Sequence, residues 1–325
     1  MNKLSIIIIG VALLVLLCAI LNDLHENKKA KRDKFMKWNV IAAYCFLIPA
    51  IVGIIIFVIQ PIVMSIVYAF TDYYLLDPNN IQFIGLKNFE TLWKDFMAKG
   101  DFFNAVKNTL HFMIFAVPLQ VGLALFLAIL VNRNIKGIMF YKIAFFAPVI
   151  LSLAVISILW TTLLRPDDLG LINNFLMIFG IEPQKFLQDP NMAMNLIVMI
   201  SVWQGAGFQM LIFLSALKNI PTDQLEAASL EGANKWQEFI YITVPSIKPQ
   251  FVFVLITVLI GASKLITQPM IMIGYKDYSV TMSYFIYQEG YFFKMVGYAS
   301  AAALIMSIII GAITLAQRYL FREED

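Results

Sequence analysis

PTDQLEAASLEGANKWQEFIYITVPSIKP, residues Pro221 to Pro249, is a compact, partly charged stretch set between two segments apolar enough to live in lipid. It reads as two short helices around a glycine. Pro221, Thr222 and Asp223 make a helix start in which Thr222 or Asp223 can cap free N–H groups, and an acid in the first turn suits the helix dipole. The helix runs over Gln224–Glu231 and gathers small residues, Ala227, Ala228, Ser229, Gly232 and Ala233, across which another protein's backbone can approach closely. Gly232 is where the chain can take a positive φ and reverse direction. Asn234 can cap a second helix, Lys235–Tyr241, whose Trp236, Phe239 and Ile240 form a bulky face. Pro245 and Pro249 punctuate the entry to the next apolar segment. Two readings stay open at this level: amphipathic turns lying on a membrane surface, or a docking element for a partner.

Working outward, hydrophobic residues make up 60% of the 325-residue chain and charged residues 14%, against roughly 45–50% and 25% in soluble domains. Apolar runs reach the length of about 20 residues that a helix needs to cross the hydrocarbon core. Seven candidate spans follow, near 4–21, 40–70, 109–131, 143–164, 191–217, 250–273 and 297–320. The second contains Pro61 and is expected to kink there. Ten-residue alternating segments of the β-barrel kind are missing. The N-terminal run lacks an A-x-A-like cleavage site and reads as a retained extra span. Cys18 and Cys45 sit in apolar runs as small hydrophobes, and His25 and His111 stand alone in the sequence, so no disulfide or metal site is expected. The net charge of +3 is small and suggests no nucleic-acid binding.

Positive charge sets the direction of insertion. Residues 22–38 hold six Lys or Arg, 132–142 three, 218–248 three and the tail from Arg318 two; the alternate loops 71–107, 165–190 and 274–294 hold four, two and two despite mostly greater length. The first set is therefore expected in the cytoplasm, with the N-terminus outside and the C-terminus inside. That places the hairpin of residues 221–249 in the compartment that holds ATP.

Glu226-Ala227-Ala228, then Gly232, then Ile242-Thr243-Val244-Pro245 resembles the EAA signature of permease subunits in ATP-binding-cassette importers. FIGLKNFETLW (Phe83–Trp93), KNTLHFMIFAVPLQVGLALFLAILVN (Lys107–Asn132), FQMLIFLSALKNIP (Phe208–Pro221) and GYASAAAL (Gly297–Leu304) are similar to the sugar-type branch, the maltose and glycerol-phosphate permeases among them. The resemblance covers nearly everything from Trp38 onward. Val244 stands where leucine is usual, IGYKDYSV (Ile273–Val280) replaces a glycine-rich turn, and the extra N-terminal span is an addition.

The resemblance implies an all-α polytopic bundle: a six-helix type I importer core over 38–325 with its coupling hairpin at 221–249, preceded by an extra helix and basic linker over 1–37. It implies a bacterial inner-membrane subunit paired with a second permease, two cytoplasmic ATPases that bind the ATP and Mg, and an extracytoplasmic solute-binding protein. No cofactor is expected in this chain, which has no G-x-x-x-x-G-K-[ST] loop and no catalytic cluster. Glu226, Ala227, Ala228, Gly232 and Pro245 become the coupling residues. In related permeases the positions around the W-x-G element line the sugar site, which maps to Ser201, Gln204, Gly205 and Phe208 of SVWQGAGFQ (Ser201–Gln209). Lys264, Thr267 and Gln268 lie on the next span, where a lysine facing lipid is costly; Lys264 reads either as an interhelical or snorkelling residue or as a substrate contact. Gln120 is expected to join helices. FIGLKNF (Phe83–Phe89) is expected to serve loop packing or partner contact. The rival readings are a permease for glycerol phosphate, peptide or amino acid, and a secondary transporter; the latter would be expected to carry membrane carboxylates for ion coupling, which the core spans lack.

Overall fold

The computed structural model describes residues 46–133, 136–167 and 169–320, so the expected span at 4–21 and the basic linker lie outside the described residues. Every regular element among the described residues is helical. They form two compact units, residues 46–89 with Lys294–Leu304, and Glu90–Phe293 with 305–320.

The first unit is built on helix α1, Phe46–Tyr68. The kink expected at Pro61 takes a specific form. Residues Ile55–Ile59 widen into a π-helical turn in which the N–H of Gln60 donates to Ile55 O, and the α-helix resumes with Pro61 at its start. Pro61 has no N–H to give to Phe57, and the wider turn redistributes the bonds around that gap. After α1 the amide of Asn88 donates to Ala69 O at 3.0 Å and Thr71 O at 2.8 Å, stitching the FIGLKNF loop to the end of the helix. Gly297 lies so close to Thr71 that an added Cβ would fall 2.2 Å from its carbonyl oxygen.

The second unit holds a short amphipathic helix, α2 (Lys87–Met97), whose residues from Glu90 belong to it, and then α3, Asp101–Val131, which starts eight residues before the expected span. Helix α3 packs lengthwise on α7, Ala193–Lys218. In lipid the apolar surface gains little from burial, so close van der Waals approach must hold such a pair together. Small residues supply it: Ala116, Ala124, Ala128 and Ala206 are fully buried there, and Phe213 and Met210 fill the remaining volume.

The expected span 143–164 is a broken pair instead, α4 (Ile138–Ile150) and α5 (Leu153–Leu163), bent by 97°. Leu151 and Ser152 are both extended, and the Ser152 hydroxyl accepts from Val155 N at 3.3 Å, capping the new helix. The serine is a start signal inside an apolar run that hydropathy alone passes over. Helix α6 (Leu171–Ile178) lies in the following loop, where fully buried Asn173 donates to Arg165 O and Gln184 O and accepts from Gln184 N. After α7 come α8 (Thr222–Leu230), α9 (Lys235–Glu238), α10 (Lys248–Ser263), α11 (Thr267–Met272), α12 (Met282–Tyr287) and α13 (Val296–Leu320). Five helices, or six spans with the bent pair counted as one, are long and apolar enough to cross a membrane among the described residues.

Candidate functional site

The expected span 250–273 breaks within its length. Helix α10 ends at Lys264, Ile266 leaves helical geometry at φ −139°, and α11 restarts at Thr267. Pro269 explains the position. In a continuous helix its N–H would bond Leu265 O, and it has none, while its ring would press on that same carbonyl. Buried Thr281 supplies the missing donor, its hydroxyl bonding Leu265 O, and Ser283 Oγ donates to Ser263 O at 3.1 Å. Irregular backbone within a membrane span is tolerated where protein satisfies it, and these two bonds do so. The loop carrying Thr281 is in turn tied to α3, because Asn108 donates to Asp277 O and Val280 O, each at 2.8 Å, and Met282 N donates to Thr109 Oγ1.

The break opens onto a cavity of about 300 Å³. Ser201, Gln204, Gly205 and Phe208 of α7 line it from one side and Lys264, Thr267 and Gln268 from the other, so the structure brings together all seven residues singled out in the sequence. Gln268 Nε2 donates to Ser201 Oγ at 3.0 Å, closing the buried end across 67 residues of chain. Gln120 of α3, expected only to join helices, also lines the cavity. A Cβ on Gly205 would fall 2.3 Å from Gln120 Nε2, so the glycine is the space in which that amide sits. Gln209 and Thr257 are further lining residues that the sequence reading passed over. Gln209 stands one turn beyond Gly205 and two beyond Ser201, a spacing that could have found it. Its buried Oε1 has no protein partner among the described residues. Val149 and Leu153, on either side of the 97° bend, complete one wall. Amides, hydroxyls and an ammonium beside Phe112 and Phe208 suit a ligand with many hydroxyls and apolar ring faces.

In the hairpin, Gly232 has φ +86°, with its N–H bonded to Ser229 O and that of Ala233 to Ala228 O, the paired closure of a helix that ends on a left-handed glycine. Asn234 makes a reciprocal cap: its Oδ1 accepts from Trp236 N and Gln237 N, and Gln237 Oε1 accepts from Asn234 N. At the start of α8 neither Thr222 nor Asp223 caps through its side chain; Pro221 holds the capping position and Asp223 faces the dipole only from the first turn. The second helix is shorter than expected. At Phe239 it widens into a π-turn, with Val244 N–H bonded to Phe239 O, directly before Pro245. The chain thus treats Pro245 as it treats Pro61. Ala227, Ala228 and Pro245 line a recess of about 370 Å³, whereas Glu226 and Gly232 stand exposed outside it. Leu230 is 90% exposed and Trp236 67%.

A cavity of about 520 Å³ lies elsewhere, between Lys107, His111, Asn195 and Tyr278. His111 Nε2 is hydrogen-bonded to Asn195 Oδ1 at 2.8 Å, so it is a packed residue. In the segment before α13, Tyr275 donates to Asp101 Oδ2 at 3.0 Å. The buried Glu289 carboxyl is pushed up to about 7 by burial first and then by the charges of Asp101 and Asp95. Among the described residues no three His, Cys, Asp or Glu side chains gather as a metal site.

A multi-pass helical bundle with a broken helix over a polar cavity and a capped, exposed hairpin defines a solute-transport subunit. The chain belongs to the family described as the binding-protein-dependent transport system inner membrane component, which matches residues 91–323. A probable ABC transporter permease protein, YesP of Bacillus subtilis, is 36% identical over 292 residues, 88% of this chain and 92% of that protein. The arabinooligosaccharides permease AraP of the same organism is 27% identical, covering 90% and 89%, and the lactose permease LacF of Rhizobium radiobacter 29%, covering 90% and 98%. A solved bacterial alginate ABC transporter, in complex with a pentasaccharide-bound periplasmic protein, superposes with a TM-score of 0.77 at 24% identity over 87% of this chain and 95% of that one, a likeness of fold. The chain is a multi-pass ABC transporter permease, a transport subunit rather than an enzyme.

Proposed function

We propose that this permease imports a sugar or oligosaccharide through the cavity at the break in Lys248–Met272. The observation that carries the reading is the convergence of Ser201, Gln204, Gly205, Phe208, Lys264, Thr267 and Gln268, from two spans, on one polar cavity with aromatic walls. The names of relatives for arabinooligosaccharides, lactose and starch degradation products support a saccharide as the cargo. The family description supports delivery by a solute-binding protein.

In this reading a second permease completes the cavity, and two ATPases hold ATP and Mg on the cytoplasmic side, where the C-terminus also lies; the N-terminus lies outside. Glu226 makes a polar contact with an ATPase, Ala227 and Ala228 admit its backbone, Gly232 sets the turn, and Pro245 fixes the exit from the recess. Closure of the ATPases then rocks the helices and exposes the cavity to alternate sides. Ala227→Trp in the assembled complex tests the coupling. Stimulation of ATP hydrolysis by the loaded binding protein is expected to disappear, and wild-type stimulation would refute the docking role.

A further inference from the structure

Lys264 is the one charged side chain among the residues lining the 300 Å³ cavity. It is exposed to that space, and neither the Arg165–Asp167 nor the Lys235–Glu238 ion pair involves it. Helix C-termini attract cations, and Lys264 stands at the end of α10, so the carbonyls there are its first competitors. Each of them already accepts one bond. Gly261 O accepts from Lys264 N, Ala262 O from Leu265 N, Ser263 O from Ser283 Oγ and Leu265 O from Thr281 Oγ1. An ammonium within a membrane span is retained at a cost, and no acid stands among the residues lining the cavity, so an anionic group on the ligand is the counter-charge this cavity leaves room for.

Resting on the reading that the cavity is the saccharide path, we propose that Lys264 selects for a saccharide bearing a single carboxylate, such as a uronic acid unit, over its neutral counterpart. One lysine matches one negative charge, whereas a phosphate monoester brings roughly −1.5 to −2 at neutral pH. Lysine also acts as a point charge that does not demand the paired geometry of a guanidinium, which suits a sugar carboxylate presented at varying angles. Gln204, Thr267 and Gln268 remain for the hydroxyls, and Phe208 for a ring face.

The test uses the assembled importer in detergent without its binding protein, so that the permease's own preference is read. The probes are a labelled disaccharide ending in glucuronate and its carboxyl-reduced, all-glucose counterpart. Wild type is expected to bind the glucuronate form about tenfold or more tightly, as a hydrogen bond to a charged group allows. Lys264→Gln should erase the difference, Lys264→Arg should keep most of it, and added salt should shrink it. Equal binding of the two by wild type, as would follow if an acid of the second permease neutralised Lys264, would overturn the proposal, and so would a preference that survives Lys264→Gln. Gln204→Cys alkylated with a bulky maleimide in a Cys18→Ser, Cys45→Ser background separates the two levels. Loss of binding of both probes with no charge preference in the unblocked protein refutes only the carboxylate selection. Binding that ignores the blocked cavity refutes the saccharide path as well.

Discussion

Gly205 and Gly207 lie two residues apart on the same helix, and alanine is predicted to act on them in opposite ways. At Gly207 a Cβ would stand 2.3 Å from the carbonyl oxygen of Phe145, 3.2 Å from its carbon and 3.1 Å from Val149 Cγ2. Ordinary contact begins about 1 Å further out, and backbone cannot give way by itself, so α4 must move off α7. Overpacking of that kind costs roughly 1–3 kcal/mol. At Gly205 the three nearest atoms, at 2.3 to 3.1 Å, all belong to the end of the Gln120 side chain, which can rotate into the cavity. Gly207→Ala is therefore expected to lower the melting temperature of the detergent-solubilised complex, whereas Gly205→Ala should leave it near wild type and weaken saccharide binding as Gln120 intrudes. Equal losses of melting temperature in the two variants would refute the assignment of one glycine to packing and the other to the cavity.

Asn173→Ala should remove its three hydrogen bonds to Arg165 O, Gln184 O and Gln184 N, each worth roughly 0.5–1.5 kcal/mol net. Faster protease cleavage within residues 164–190 is the expected result, and an unchanged rate would place Asn173 outside the loop's support. Thr281→Val keeps the shape and removes the donor to Leu265 O; the melting temperature should fall, and Thr281→Ser should restore it. Glu289 gives a pH-dependent outcome: its carboxyl is held up at about 7 against an ordinary 4.5, so the folded chain binds that proton more tightly than the unfolded one. The stability it contributes in acid is lost as the pH rises through 7. Glu289→Gln should thus gain in melting temperature relative to wild type on going from about pH 5 to about pH 8, and a constant difference would contradict the burial argument.

Much of this was readable from residue order because lipid makes apolar length a strong signal. The hairpin's glycine and its Asn234 cap were legible because each depends on neighbours within four residues. The breaks were less so. A 97° bend at Leu151–Ser152 and an unwound turn at Lys264–Ile266 barely alter hydropathy. They hang on a serine cap in one case and on a proline whose lost bond is replaced by Thr281 in the other. The role of Gln120 was hidden for a related reason, since the space it occupies is made by Gly205 on another helix, 85 residues away. Patterns of 3.6 residues report one helix at a time, and the cavity is lined from α3, the bent pair α4 and α5, α7, and the broken span α10 and α11.

Passage of solute through that cavity can be measured. The direct measurement is uptake by the reconstituted importer carrying Gln204→Cys in the Cys18→Ser, Cys45→Ser background, before and after alkylation with a bulky maleimide, using a labelled saccharide that the wild type imports. Leu76→Cys, at a position 69% exposed in the loop after α1, is the control. Uptake should fall to background only when the cavity position is blocked. Equal uptake before and after alkylation at position 204 would contradict the account.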